Sequence, residues 1–293
     1  MPEWTAEIVV DEDLARRLLD AQFPELEPRT LRLLGAGWDN TAWLVDERWV
    51  FRFPRRAIAL PGIERELAVL PALAPQLSLP IPEPAHIGRA SAAFPWPFFG
   101  AALVPGVELA EAGLDDGSRA ALARPLGTFL RTLHSAEIDV ELPVDPIRRT
   151  DMPFRGGGTR ERLAELGRSP AGAEEILAAA IELPPPELTT LVHGDLHLRH
   201  ALVEHGRLSG VIDWGDLCRS DPGVDLVLYW AALPPEARSE FLATYGPVRE
   251  AALLRARVLS LFLCAALALH ARAERLPAIE RESLAGLERT VHP

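Results

Sequence analysis

Cysteine is nearly absent: the 293 residues include two, Cys218 and Cys264. Neither belongs to a CxxC pair, which argues against a disulfide framework and a thiolate zinc site and points to a reducing compartment. Also missing is any run of basic residues interleaved with aromatics, so at a formal net charge of −12 the chain has no footprint for nucleic acid. The start, MPEWTAEIVVDEDLARRLL, lacks the basic region and apolar stretch of a signal peptide. A bilayer span needs roughly 20 apolar residues. The longest run, VLSLFLCAALAL from Val258 to Leu269, is shorter and reads as a buried core helix. There is no internal repeat and no low-complexity tail. These absences lead to the expectation of a cytoplasmic globular protein with no membrane or nucleic-acid partner. The acidic balance suits a cationic small molecule.

What is present changes character along the chain. DEDLARRLLDA (11–21) has helical spacing after an acidic start. TLRLLGAGWDNTAWLVDERWVFRFPRR (30–56) is rich in β-branched and aromatic residues and broken at Gly35, Gly37 and Asp46-Glu47, which predicts three short antiparallel strands. GIERELAVLPALAP returns to helical spacing and ends at proline. PWPFFGAALVPGVEL (95–109) reads as a strand stopped at Pro105-Gly106. Beyond it helices dominate. DGSRAALARPLGTFLRTLHSAE is one, interrupted by Pro125; residues 143–187, with RGGG and LPPPEL, read as a surface-facing insert around two short amphipathic segments. From Leu191 a strand-loop-strand unit, LVHGDLHLRHALVEHGRLSGVIDW, precedes further helices.

That unit holds the chemistry. His193, His197 and His200 stand at i, i+4 and i+7, so on a helix they would share a face able to bind zinc. Gly194 and the strand-like flanks disfavour a helix, and no HExxH glutamate is present to serve as base. The other reading centres on Asp195, in a loop after a short apolar strand, and on Asp213, 18 residues later at the end of a second strand. A hairpin would bring both carboxylates and His200 together. Two adjacent carboxylates repel unless a cation or proton intervenes. Phosphoryl transfer uses such a pair: one aspartate takes the hydroxyl proton and another holds magnesium on the nucleotide phosphates.

HGDLHLRHALV followed by GVIDWGDLCRSDPGVDL resembles the catalytic core of the aminoglycoside phosphotransferase family, kinase-like enzymes that phosphorylate small-molecule hydroxyls. LGAGWDNTAWLV resembles the family's nucleotide-covering loop, WVFRFPRR its third strand, ERELAVLPAL the helix with the paired glutamate, and FLRTLHS its leucine-histidine helix end. Some 200 residues are spanned in the family's order.

The resemblance implies an α+β, bilobal, protein-kinase-like fold, with a strand-rich N-lobe over 1–105 and a helical C-lobe over 106–293. Nucleotide, ATP or GTP, would bind between the lobes against Gly35, Gly37, Arg52, Glu66, Ala102 and Val104. Asp195 would be the catalytic base and Asp213 the main magnesium ligand. His193 would hold the loop and Asp225 would brace it, while His134 packs or caps and His197 is unassigned. Two positions depart from the usual pattern. Arg52 stands where most kinases have lysine, and its fork still suits phosphate. His200 replaces the second metal-ligating asparagine, a change that resembles the aminoglycoside 2″- and macrolide 2′-phosphotransferases and implies tolerance of manganese.

The implied product is an antibiotic-type phosphate ester made by a monomer or weak dimer. An aminoglycoside is the expected acceptor, with a macrolide or a metabolic sugar, amino alcohol or amino acid as alternatives. Residues 147–186 and the C-terminal helices would shape the acceptor pocket, with Glu161 and Asp216 attracting amines. A nucleotide-binding module without catalysis would be expected to lack Asp195 or Asp213, and a hydrolytic zinc enzyme is the remaining rival.

Overall fold

The computed structural model describes residues 5–28, 30–37 and 39–292. Trp38, inside the expected nucleotide-covering loop, lies outside them, as do the first four residues of the sequence. The chain divides into two compact units, one comprising residues up to Pro75 with Ile81–Val104, the other Gln76–Pro80 with Pro105 onward. Assigning 76–80 to the strand-rich part is thereby corrected. Pro80 accepts a hydrogen bond from Val211 N–H at 3.1 Å, and Gln76 Nε2 donates to the Glu137 carbonyl at 3.4 Å.

In the first unit, helix α1 (Glu12–Gln22) starts where Asp11 caps the Leu14 N–H at 2.8 Å, and it buries Leu18 and Leu19. Strands β1 (Leu31–Ala36), β2 (Asn40–Val45) and β3 (Trp49–Pro54) form the predicted antiparallel run. Helix α2 (Leu60–Leu73), β4 (Pro84–Gly88) and β5 (Phe98–Ala102) follow, and the sheet order is β1-β2-β3-β5-β4. Pro84 opens the edge strand, where a missing N–H costs the ladder least. Phe51, Phe53, Phe94, Phe98 and Leu19 fill the core. Strand alternation sends Arg52 to the face opposite Phe51 and Phe53. On α2 the buried positions Ile63, Glu66, Val69, Leu70 and Leu73 make one stripe, so Glu66 sits on the packed side.

In the second unit, β6 (Val107–Glu108) leads to α3 (Asp116–Ala120) and α4 (Ala123–Ser135). The expected single helix breaks before Pro125, at residues 121 and 122, which puts Pro125 in the first turn of α4, where its missing N–H costs nothing. Next come α5 (Met152–Leu166) and α6 (Ala173–Ile181). RGGG does not interrupt the helix: Gly156, Gly157 and Gly158 lie inside α5, which packs on α9 (Glu250–Ala273), so the region expected as a surface-facing insert with two amphipathic segments is part of the packed unit. Strands β7 (Thr190–Val192), β8 (Ala201–Glu204), β9 (Arg207–Val211) and β10 (Cys218–Ser220) pair as β10-β7 and β6-β8-β9. Helices α7 (Val227–Ala231), α8 (Arg238–Tyr245) and α10 (Pro277–Val291) complete the unit.

Helix α9, 24 residues long, contains the apolar run and by length and composition alone could cross a bilayer. Here it is a core element: Ala256, Val258, Leu261, Ala265 and Ala268 are buried, and α5, α6, α7 and α10 pack on it. The β8–β9 hairpin turns at His205 and Gly206, with φ of +50° and +73°, a two-residue turn with both residues left-handed. Its register, Ala201 opposite Val211 with Ile212 N–H bonded to the His200 carbonyl at 2.9 Å, sets His200 beside the segment carrying Asp213. Both thiols are buried, and burial pushes each up to about 12, which removes Cys218 and Cys264 as nucleophiles.

Candidate active site

The loop from His193 to His200 is fixed from beneath by one carboxylate. Asp225 is fully buried; its Oδ2 accepts from His193 N–H at 2.7 Å and its Oδ1 from Gly194 N–H at 3.0 Å. His134 Nε2 lies 3.2 Å from Asp225 Oδ2, and His134 Nδ1 lies 2.7 Å from the Tyr245 hydroxyl. Burial raises the Asp225 pKa, but His134 first, then His193 and the Gly194 amide, carry it below its ordinary value. The His193 ring spans the same loop: Nε2 donates to the Ile212 carbonyl at 3.0 Å while Nδ1 accepts from Asp195 N–H at 3.2 Å. That pairing defines the tautomer, and burial lowers its pKa, keeping the ring neutral. Gly194 adopts φ +90°, and a Cβ there would lie 2.2 Å from the Asp216 carbonyl oxygen, so only glycine fits the crossing of the two segments.

Held this way, Asp195 presents a half-buried carboxylate, and His200 stands between it and Asp213. His200 Nδ1 donates to the Asp195 carbonyl at 2.7 Å, which leaves Nε2 as the acceptor nitrogen, 3.5 Å from Asp213 Oδ2. A ring nitrogen anchored on a carbonyl and its partner turned to a carboxylate is the arrangement that presents imidazole to a metal. Asp213 is exposed and adopts φ +65°, a left-handed conformation that aspartate tolerates better than most residues. His197 is buried, stacked on His200 with centroids 3.8 Å apart, and its Nδ1 accepts from Arg199 N–H at 3.2 Å. Burial, then His200, pushes its pKa well down. The three-histidine cluster does not form. Ligand atoms of Asp195, His197 and His200 lie within 4.8 Å of one another, whereas His193 spends both nitrogens on the loop.

One residue of this site escaped the sequence reading. Arg149 is buried, and its Nη2 donates to Asp195 Oδ1 at 2.6 Å and to Asp216 Oδ2 at 2.8 Å. Burial opposes its charge, yet Asp195 and Asp216 raise its pKa above the ordinary value. Its loop is closely specified. Asp145 Oδ1 accepts from Arg149 N–H at 2.8 Å and Oδ2 from Thr150 N–H at 3.0 Å, and Arg155 donates to the carbonyls of Ile147 and Arg148. Asp145 and Arg148 both have positive φ, at +38° and +55°. The signal available in sequence is the pair Arg148-Arg149 between Asp145 and Asp151, the cap of α5. Asp216, expected to face amines, is already bound to this arginine.

In the first unit, Arg52 Nη1 donates to Glu66 Oε1, and the Glu66 side chain is fully buried. The guanidinium carbon lies 6.0 Å from the Phe99 ring centroid. Gly35 sits at an irregularity of the β1–β2 register and is exposed; nothing lies within 4 Å of a Cβ built there. Gly37 N–H donates to the Asn40 carbonyl at 2.9 Å, and its own carbonyl accepts from Arg55. Ala102 ends β5, exposed, opposite Trp49; Val104, two residues on, is buried.

The Phosphotransferase enzyme family pattern matches residues 30–259. The chain belongs to that family. Viomycin phosphotransferase of Streptomyces vinaceus is 31% identical over 215 residues, covering 66% of this chain and 71% of the relative. The first curated relatives are matched over only 20% and 18% of their own lengths. The fold is that of a solved GDP complex of wild-type aminoglycoside 2'-phosphotransferase-IIIa, at TM-score 0.71 and 24% identity over 96% of this chain and 99% of that chain. It also resembles macrolide 2'-phosphotransferase MphH from Brachybacterium faecium, at TM-score 0.60 and 24% identity over 94% and 98%.

Proposed function

We propose that the chain transfers the γ-phosphoryl group of ATP or GTP to a hydroxyl of a small molecule. The observation that carries this reading is the anchored His193–His200 loop, which sets Asp195 beside the His200–Asp213 pair. The acceptor oxygen forms a bond to the γ-phosphorus, the bond from that phosphorus to the β–γ bridging oxygen breaks, and the nucleoside diphosphate leaves. The hydroxyl proton passes to Asp195. Since Arg149 occupies Oδ1, Oδ2 is the oxygen that takes it. In the other unit Arg52, oriented by Glu66, is the candidate phosphate ligand.

Asp213 Oδ2 and His200 Nε2 fit a divalent cation, because the other nitrogen of the ring is spent on a backbone carbonyl. Magnesium, or manganese given the imidazole, would neutralise the phosphates there. Aminoglycosides and macrolides, the acceptors in the names of structural neighbours, belong in an acceptor screen together with small metabolites.

Asp195→Ala is expected to cut transfer by about 10²- to 10⁴-fold and leave nucleotide affinity intact, because a general base touches acceptor and not nucleotide. Asp213→Ala should instead remove the magnesium dependence of nucleotide binding. Phosphate transfer by coupled nucleotide consumption and nucleotide binding by calorimetry check both. Wild-type turnover in Asp195→Ala would overturn the assignment.

A further inference from the structure

Arg149 reaches the catalytic carboxylate with one nitrogen. Nη2 contacts both Asp195 and Asp216, while Nε and Nη1, three of the five N–H groups of the guanidinium, have no partner among the described residues and stay in contact with solvent. Open to solvent, these donors are available to a ligand within one guanidinium of the base.

The segment that carries Arg149 is rich in arginine. Residues 148–162 contain five arginines against two acids, Asp151 and Glu161, in a chain whose net charge is −12. Arg148 and Arg160 are compensated by Asp151 and Glu174. Arg155 is not: it is buried, bonds only backbone carbonyls, and has no carboxylate partner among the described residues. Burial first, then Arg149, pushes its pKa down to about 10, as for a cation lacking a counterion. Arg155 and Arg162 both stack on Phe262 of α9, at 4.9 and 4.2 Å from the ring centroid. Of the two acids expected to draw in amines, Asp216 is already paired with Arg149, and Glu161 is exposed on α5.

We propose that Arg149 recognises the acceptor, and that the phosphorylated alcohol carries a carboxylate within a few bonds of its hydroxyl, seated on the unspent N–H groups of Arg149 while the hydroxyl meets Asp195. This rests on the phosphotransferase reading and names its substrate class. Arg149 thereby does two jobs: it orients the base through Oδ1 and sets the distance from anion to nucleophile.

The test is a set of ω-hydroxy carboxylates of two to six carbons, each beside its methyl ester, assayed with ATP and with GTP next to kanamycin and a macrolide. The acids should exceed their esters by about 10- to 100-fold in kcat/KM, the worth of a charged hydrogen-bonded pair. In Arg149→Lys and Arg149→Gln that acid-to-ester ratio should collapse. A merely structural arginine would lower both substrates alike and keep the ratio, which overturns the proposal, as does preferential turnover of kanamycin, the macrolide or the esters. Arg149→Lys keeps the charge if Arg149→Gln fails to fold, and the wild-type acid-to-ester ratio requires no variant. Absence of Asp195-dependent turnover with every acceptor would instead defeat the phosphotransferase reading itself.

Discussion

At position 194 a side chain has nowhere to go. Gly194→Ala must place a Cβ 2.2 Å from the Asp216 carbonyl oxygen at φ +90°, so the loop or the 213–216 segment has to move. We expect a loss of about 1–3 kcal/mol in a urea titration, the usual cost of a strained backbone position, together with lost transfer. Gly35→Ala is the contrast: with nothing within 4 Å and no positive φ, it should stay within about 0.5 kcal/mol of wild type, so any activity it loses reports on nucleotide approach. The residues legible in the sequence were those whose partners are local. His193, Asp195, His200 and Asp213 fall on one hairpin, and Asp225 follows 12 residues after Asp213. Arg149 was not legible because it meets Asp195 across 46 residues of chain, in a loop whose conformation depends on Asp145 and on Arg155 of the next helix. Arg52 carries less information as a departure from lysine than it first suggests: the chain contains no lysine at all, so all thirty of its basic residues are arginine.

Strands and the hairpin were readable because alternation and turn residues are local properties, whereas the helices that failed did so at proline and glycine. Pro125 lies just inside α4 where it was read as the break itself. The glycines of α5 fall in a stretch whose composition suggests a surface-facing insert, although tertiary packing on α9 outweighs their low helix propensity. This gives a prediction specific to the element. Gly157→Ala meets nothing within 4 Å and should stabilise the protein by about 0.5–1 kcal/mol through helix propensity. Gly158→Ala should gain less or nothing, because its Cβ would come 3.1 Å from both Arg162 Nη1 and Phe262 Cε2, in the stack that supports the arginine group. Thermal midpoints of the two variants separate these outcomes; equal gains would mean the α5–α9 contact yields freely.

For the molecule as a whole, net charge was the least useful signal: −12 describes the surface as a whole, while the segment beside Asp195 is locally basic. Stability against pH should likewise be governed by a few buried groups and not by that total. His193 is buried and neutral, facing Asp225, His200, Asp195 and the Ile212 carbonyl, and its pKa is lowered by burial. In the unfolded chain it takes up a proton near pH 6.5. Its contribution is therefore complete above about pH 6.5 and is lost as pH falls toward the depressed folded value, with a slope of about 1.4 kcal/mol per pH unit for one proton. Asp225 acts in a second window. Its folded pKa is also lowered, so its contribution holds above about pH 4 and disappears as pH drops through the folded value. Urea midpoints measured from pH 8 to 3 should fall in two steps. His193→Asn, whose amide oxygen replaces the Nδ1 acceptor for Asp195 N–H but cannot titrate, should be less stable at pH 8 and flatter between about pH 6.5 and 5. If the variant keeps the wild-type slope in that window, the first step belongs to another group and His193 is not the site where acid enters the fold.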